Sequence, residues 1–274
     1  MTKTLGASVR HGVLWLVCIA SLVPCYVMVT GSLKTQQEFL TSPWSLPASP
    51  HLSAYRATFS DQFAHWMLNS VIVTVSAVAL TMVIAALAAW GLVHWPFRGR
   101  DTVLAVIVSL MVVPPVVLLI PLFQVGAELG WISTYRVVIA IYVGLMLPFS
   151  IFLLANFFKT IPESLLEAAE LDGASPLRVF LWIVLPLSGP PMATLVVVNL
   201  LWAWNELLLA LVFLQSDEKK TLMVGITGFQ SRYSLDIPTV MAGMVVATLP
   251  LVAAYLFGQR YFIRGLTAGG LKGE

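Results

Sequence analysis

Charge is what this sequence has least of. Of its 274 residues only 10% are Asp, Glu, Lys or Arg, while 59% are hydrophobic. Soluble domains carry about 25% charged and about 45–50% apolar residues, so this chain has too little charge to cover a surface in water. That excludes a soluble enzyme and a disordered chain. The formal net charge of +2 excludes the strongly basic surface of a nucleic-acid partner. Cysteine is nearly absent: Cys18 and Cys25 share one apolar stretch and one helical face, and ordinary apolar packing is the expected role of both. His11, His51, His65 and His94 are scattered singly, so no metal-ligand spacing exists. No paired carboxylates or Ser/His/Asp set falls near one membrane face, which disfavours a membrane-bound enzyme. No catalytic or metal-binding residue is expected.

Long uncharged runs are what is present, and the mean hydropathy is +0.90. A helix crossing a ~30 Å hydrocarbon core needs about 20 apolar residues. Six runs qualify, at about 12–32, 69–93, 102–124, 137–158, 187–214 and 239–262. The fifth is interrupted by Glu206, the sixth carries Arg260 at its end, and the other four contain no charged residue. The first run is longer than a signal-peptide core of ~7–15 residues and no small-residue cleavage site follows, so it reads as a retained span. The expected fold is an all-α integral membrane domain of six spans, read as one domain over 1–274. With the N-terminus inside, nine of the 15 Lys and Arg residues fall on the inner side. That positive-inside bias predicts both termini in the cytoplasm. The prolines of the outer connection Leu33–Leu68 predict an ordered loop rather than a linker.

The connection between spans four and five, 159–186, is patterned like helices rather than loop. Thr160 and Glu163 have capping-box spacing, with Pro162 in the first turn. Glu163, Glu167 and Glu170 form an acidic stripe, and Leu165, Ala168 and Ala169 a small apolar one. Gly173 supplies a position that turns left-handed without a Cβ penalty. Ser175 caps a second helix with Pro176 at its first position. There Leu177, Phe180, Leu181 and Val184 run at helical spacing until Pro186 opens span five. A helix lying on lipid headgroups is one reading, but interfacial helices favour Lys and Arg on their polar face. An acidic and apolar helix beside a glycine elbow is better suited to a groove on a soluble protein.

At these residues the sequence resembles a known family. Glu167-Ala-Ala-Glu-Leu-Asp-Gly173, continuing to Ile183-Val-Leu-Pro186, is similar to the EAA loop of ATP-binding-cassette importer permeases. Trp204-Asn-Glu206 and the ending from Gln259 to Gly273 resemble the carbohydrate-uptake branch, and within it the shorter second permease of maltose-type systems. The resemblance covers essentially the whole chain. It implies a type I importer fold in which 159–186 is a cytoplasmic helix-turn-helix coupling loop. Glu163, Glu167, Ala168, Ala169, Glu170, Asp172 and Gly173 would then meet an ATPase subunit, Glu167 by an ionic contact and Gly173 as the bend. It further implies a homologous second permease, two ATPase subunits that bind ATP and Mg, an extracytoplasmic sugar-binding protein and a bacterial or archaeal plasma membrane. No cofactor is expected in this chain.

No energy source is visible in the sequence itself. Gly265 and Gly270 have P-loop spacing, but Leu271 stands where the lysine belongs and Lys272 is one place late. Ion-coupled carriers bury several ionisable groups and repeat their halves, whereas the spans hold only Glu206 away from their ends and no evident repeat. The glycine-rich tail, 263–274, is too flexible to fold alone. By the resemblance, its residues Gly265, Thr267, Gly269, Gly270 and Lys272 would reach the ATPase dimer.

Span five offers Asn199, Trp202, Asn205 and Glu206 as candidate substrate contacts, because sugars stack their C–H surface on rings and need hydrogen-bonding groups. Helix-to-helix adhesion is the competing role for the same residues. In span three, Pro114, Pro115 and Pro121 predict a kink. Ala85 and Ala89, and Ala254 and Gly258, predict close helix contact. The reading as a whole is half of a carbohydrate translocation pathway driven by a separate ATPase. Glycerol-phosphate or polyol import is the alternative substrate class, and an ion-coupled carrier the alternative mechanism.

Overall fold

The computed structural model describes residues 2–228 and 236–270, with side chains described over 10–228 and 236–256. Its regular structure, among the described residues, is helical throughout. The chain divides into two compact units, one formed by 1–65 and 225–250, the other by 66–224 and 251–274.

In the first unit, helix α1 (Thr2–Gly31) contains a span, Arg10–Gly31, whose most apolar stretch has no residue buried within the chain. Cys18 and Cys25 therefore do not pack inside the chain as expected; both are exposed. Two short helices, α2 (Gln36–Thr41) and α3 (Ser53–Thr58), follow in the connection that the sequence reads as ordered. The order has a visible cause. The buried Lys34 ammonium donates to Ser42 O at 2.7 Å, Pro43 O at 3.2 Å and Ser45 Oγ at 3.3 Å. The Glu38 carboxylate accepts from Ala48 N–H at 2.7 Å. A buried cation is tolerated there because its donors are satisfied.

Helix α4 (Asp61–His94) is long, apolar and followed by a turn in which Gly99 adopts φ +90°. Helix α5 (Arg100–Ser109) runs into a 3₁₀ turn at Leu110–Val112; a second, Pro115–Leu118, leads into α6 (Leu119–Glu128). The two halves meet at 93°. Pro114 is extended there, at φ −65° and ψ 132°, so the predicted kink of span three sits at Pro114–Pro115, where two N–H donors are missing. Pro121 lies in the first turn of α6, where it costs no hydrogen bond. Helix α7 (Tyr135–Phe158) packs against α5 and forms the centre of the second unit's core. Ala85 and Ala89 of α4 are fully buried in that core, which is the close approach predicted for them.

The connection after α7 forms α8 (Glu163–Leu171) and α9 (Pro176–Val179), continued by a π-turn at Phe180–Val184 and by α10 (Leu185–Leu187). Helix α11 (Gly189–Asn205) is bent 75° from that segment. The bend falls at Ser188, two positions beyond the expected Pro186. Span five is not continuous: Glu206 is extended, at ψ 120°, and a new helix α12 (Leu208–Phe213) begins after it. Helix α13 (Leu222–Thr227) and the long α14 (Ile237–Gly270) complete the order. Among the described residues, four helices are long and apolar enough to cross a membrane, or up to six if each bent pair counts as one span.

One buried amide holds the connection that follows α12. Asn69 Nδ2 donates to Glu218 O and Lys220 O, both at 2.8 Å, and Asn69 Oδ1 accepts from Tyr135 Oη–H at 2.7 Å. Removing it leaves three partners unpaired, at roughly 1 kcal/mol or more each. Asn69→Ala is expected to lower stability by about 2–3 kcal/mol, read as a lower thermal midpoint in detergent; an unchanged midpoint refutes the assignment.

Candidate functional site: a helical elbow and a broken span

Helix α8 ends at Gly173 for a backbone reason. Gly173 has φ +80°, its N–H reaches Glu170 O at 2.9 Å, and Ala174 N–H reaches Ala169 O at 3.0 Å. These two bonds are the Schellman closure, which turns the chain sharply at a left-handed residue. Pro176 then starts α9 as expected, with Val179 N–H bonded to Ser175 O at 3.0 Å.

The other end of α8 differs from expectation. The Thr160–Glu163 capping box does not form. Thr160 Oγ1 donates instead to Phe157 O at 2.7 Å, and Pro162 takes the position before the helix. A threonine leaving one helix bonds back to it more readily than forward to the next. The apolar face is also rotated. Leu166 and Ala169 pack on the core with Ile161 and Ala174, while Leu165 and Ala168 are exposed. In the following segment, Val179, Phe180 and Val184 are buried whereas Leu177 and Leu181 face outward. The π-turn adds a residue to the helical turn and shifts the stripe.

Glu163, Glu167 and Glu170 line an open cleft of about 640 Å³ together with His94, Arg100 and Lys159. Glu170 is engaged there, with Oε1 3.8 Å from His94 Nε2. The tip of the elbow is apolar: Leu171 is 89% exposed, with Asp172 and Gly173 exposed beside it. Of the tail, the backbone of Gly265, Thr267, Gly269 and Gly270 continues α14 as helix rather than as a flexible end. Their side chains, and Lys272 entirely, lie outside the described residues.

The span-five residues separate into different environments. Asn199 is buried, and its Nδ2 donates to Ser150 Oγ of α7 at 3.0 Å. The Glu206 carboxylate accepts from Tyr142 Oη–H at 2.7 Å, Leu209 N–H at 2.8 Å and Ala210 N–H at 3.0 Å. It thereby satisfies the first free amides of α12, which is how a break at membrane depth is tolerated. Trp202 meets the same Tyr142 edge-on, with ring centroids 5.3 Å apart. Asn205 is exposed and bonds its own helix at Leu201 O. Sequence reading missed Tyr142, which carries no local signal, and His94, whose i,i+4 spacing from Trp90 was available as an aromatic pair.

Residues 81–268 match the family described as binding-protein-dependent transport system inner membrane component, and the chain belongs to that family. It is a multi-pass membrane protein. It is 37% identical over 92% of its length to a putative ABC transporter permease of Caldicellulosiruptor, of which 92% is covered. It is 35% identical to the trehalose/maltose transport system permease protein MalG of Thermococcus litoralis, and 32% identical to the melibiose/raffinose/stachyose import permease protein MelC of Bacillus subtilis. Each of these two matches covers 94% of both chains. Those relatives are the carbohydrate-uptake branch to which the motifs pointed. The fold matches a chain of a bacterial ABC transporter involved in the import of the acidic polysaccharide alginate. The TM-score is 0.83 at 24% identity, over 96% of this chain and 98% of that one.

Proposed function

We propose that this chain is one permease of an ATP-driven carbohydrate importer and forms half of the translocation pathway. It would pair with a homologous permease, two ATPase subunits that hold ATP and Mg, and an extracytoplasmic sugar-binding protein. Its place would be a bacterial or archaeal plasma membrane, with both termini in the cytoplasm. The observation that carries the reading is the α8–Gly173–α9 elbow. An exposed leucine at the tip of a rigid turn, beside an exposed acidic residue, suits a groove on a soluble partner. ATP binding by that partner favours one arrangement of the pair. The elbow conveys that preference into α11, which continues directly from α9 and α10. Relatives that import melibiose, maltose or diacetylchitobiose, and one that transports sulfoquinovosyl glycerol, support a glycoside as cargo. Within span five, exposed Asn205 and half-buried Trp202 are the proposed substrate contacts; Glu206 is half-buried as well, but its carboxylate is taken by Tyr142 and α12. Asn199 and Glu206 hold helices together whether or not they also face the pathway.

The test is uptake into proteoliposomes holding the chain with its genome-neighbouring permease, ATPase and binding protein. Melibiose, raffinose, maltose and diacetylchitobiose serve as probes. Uptake of at least one sugar that requires internal ATP is expected. Ion-driven uptake by this chain alone would refute the reading. Glu167→Lys is expected to leave membrane insertion intact and to lower sugar-stimulated ATP hydrolysis by about tenfold, because the reversed charge meets its partner site in repulsion. Unchanged stimulation in that variant argues against α8 as the docking helix.

A further inference from the structure

The last turn of α4 ends in a row of contacting side chains that leads to α8. Trp90 stacks on His94 with ring centroids 4.2 Å apart and planes inclined by 16°. Phe180, in the π-turn after α9, also stacks with Trp90, at 5.8 Å and 28°. Trp90 and Phe180 are both buried, so packing fixes this part of the row. At the far end His94 Nε2 lies 3.8 Å from Glu170 Oε1 of α8. Chain connectivity joins α8 only to α7 and α9, so the link to α4 is made by side chains alone.

We infer that His94, seated on Trp90 and paired with Glu170, is a positioning residue that ties the coupling helix α8 to α4. Movement of α8 then displaces the second span as well as passing along the chain into α11. This rests on the reading of α8 as the helix that meets the ATPase, and it adds a second route of transmission. It also divides the acidic stripe. Glu170 is turned to the chain's own histidine, while Glu163 and Glu167 remain in the cleft for other contacts.

The pair differs from an ordinary surface ion pair, which contributes little. The His94 side chain is 13% exposed against 48% for Glu170. The imidazole is held by its stack before it meets the carboxylate and gives up little freedom in doing so. When protonated, it also lies over the indole face, a favourable place for a cation. The other charged groups of the cleft are Glu163 and Glu167 of α8, Lys159 at the end of α7 and Arg100 at the start of α5. Arg100 Nε is itself 3.7 Å from Asp101 Oδ1.

The experiment places single spin labels at Ser164 of α8 and, separately, at Leu87 of α4, both exposed, after replacing Cys18 and Cys25 with serine. The transporter is assembled with all its subunits in nanodiscs, and spectra with ADP are compared with spectra under ATP and vanadate. In the unsubstituted background both labels are expected to respond to ATP. His94→Ala and Glu170→Ala are each expected to reduce the Leu87 response about threefold or more, the scale of residues that carry coupling. The double variant is expected to lose no more than the worse single one, since the two act as a pair. In His94→Ala the Ser164 response and the yield of assembled complex stay unchanged. If the alanine variants assemble poorly, His94→Gln and Glu170→Gln give the same cycle at near-constant size. A Leu87 response that survives in both single variants, or losses that add, overturns the tie to α4 while leaving α8 as the docking helix. No response at Ser164 in the unsubstituted complex overturns the reading of α8 itself.

Discussion

Replacing Gly173 with proline is expected to abolish ATP-driven uptake while the protein still inserts in the membrane. The native φ is +80°, and proline is locked near −65°, a mismatch of about 3 kcal/mol or more. The substitution also deletes the N–H that bonds Glu170 O at 2.9 Å. At 1.4 kcal/mol per decade, about 3 kcal/mol lowers the population of the native elbow roughly a hundredfold. A Cβ at this position would meet nothing within 4 Å, so the cost comes from the backbone conformation and the lost hydrogen bond rather than from crowding of a side chain. That predicts a graded series. Gly173→Asn is expected to be mildest, because asparagine visits the left-handed region. Gly173→Ala should cost about 1–2 kcal/mol, and Gly173→Pro most. Uptake and sugar-stimulated ATP hydrolysis in proteoliposomes are the readouts, with membrane-inserted protein quantified in parallel. Equal uptake across the three variants would show that the elbow's geometry is not transmitted.

Truncation of Glu206 is expected to destabilise the second unit strongly. Its carboxylate serves Leu209 N–H, Ala210 N–H and Tyr142 Oη–H at once, and all three of those residues are buried. Each buried donor left unpaired costs about 1–3 kcal/mol, so Glu206→Ala should lose about 3 kcal/mol. For a chain of this size that corresponds to a drop of roughly 6–12 °C in thermal midpoint. Glu206→Gln keeps one acceptor oxygen but presents an NH₂ to the remaining donors, so its midpoint should fall by about half as much. An unchanged midpoint in Glu206→Ala refutes the capping role. Loss of uptake in Glu206→Gln at near-normal stability would instead assign the carboxylate to the pathway.

The features that sequence reading placed correctly are those whose cause is local. A run of 20 or so apolar residues is favourable in a bilayer whatever its neighbours, so the spans were readable. Pro114 and Pro115 lack donors in any context, so the kink was readable. A turn that needs positive φ selects glycine, so Gly173 was readable as the bend. Failures occurred where two local preferences compete. Thr160 had capping-box spacing toward Glu163, yet its hydroxyl bonds back to Phe157 O. The stripe Leu165, Ala168 and Ala169 was a fair amphipathic face, but packing turned Leu166 and Ala169 inward instead. A rotation of one position costs the isolated helix almost nothing, and the core alone sets its value.

The sequence by itself determined the solvent, the helical class and the elbow, because hydropathy, proline and glycine act through the residue's own backbone and immediate surroundings; the family followed from the resemblance of its motifs. Only the tertiary structure decided that span five breaks at Glu206 and that Glu170 faces His94. Neither site carries a proline or glycine signal. The break is stable because Tyr142, 64 positions away, supplies a hydroxyl to the carboxylate that caps α12. The link from α8 to α4 exists because Trp90 and Phe180 are packed where they orient the imidazole. Such pairings are free energies between groups distant in the chain, and they acquire values only when the fold brings those groups together.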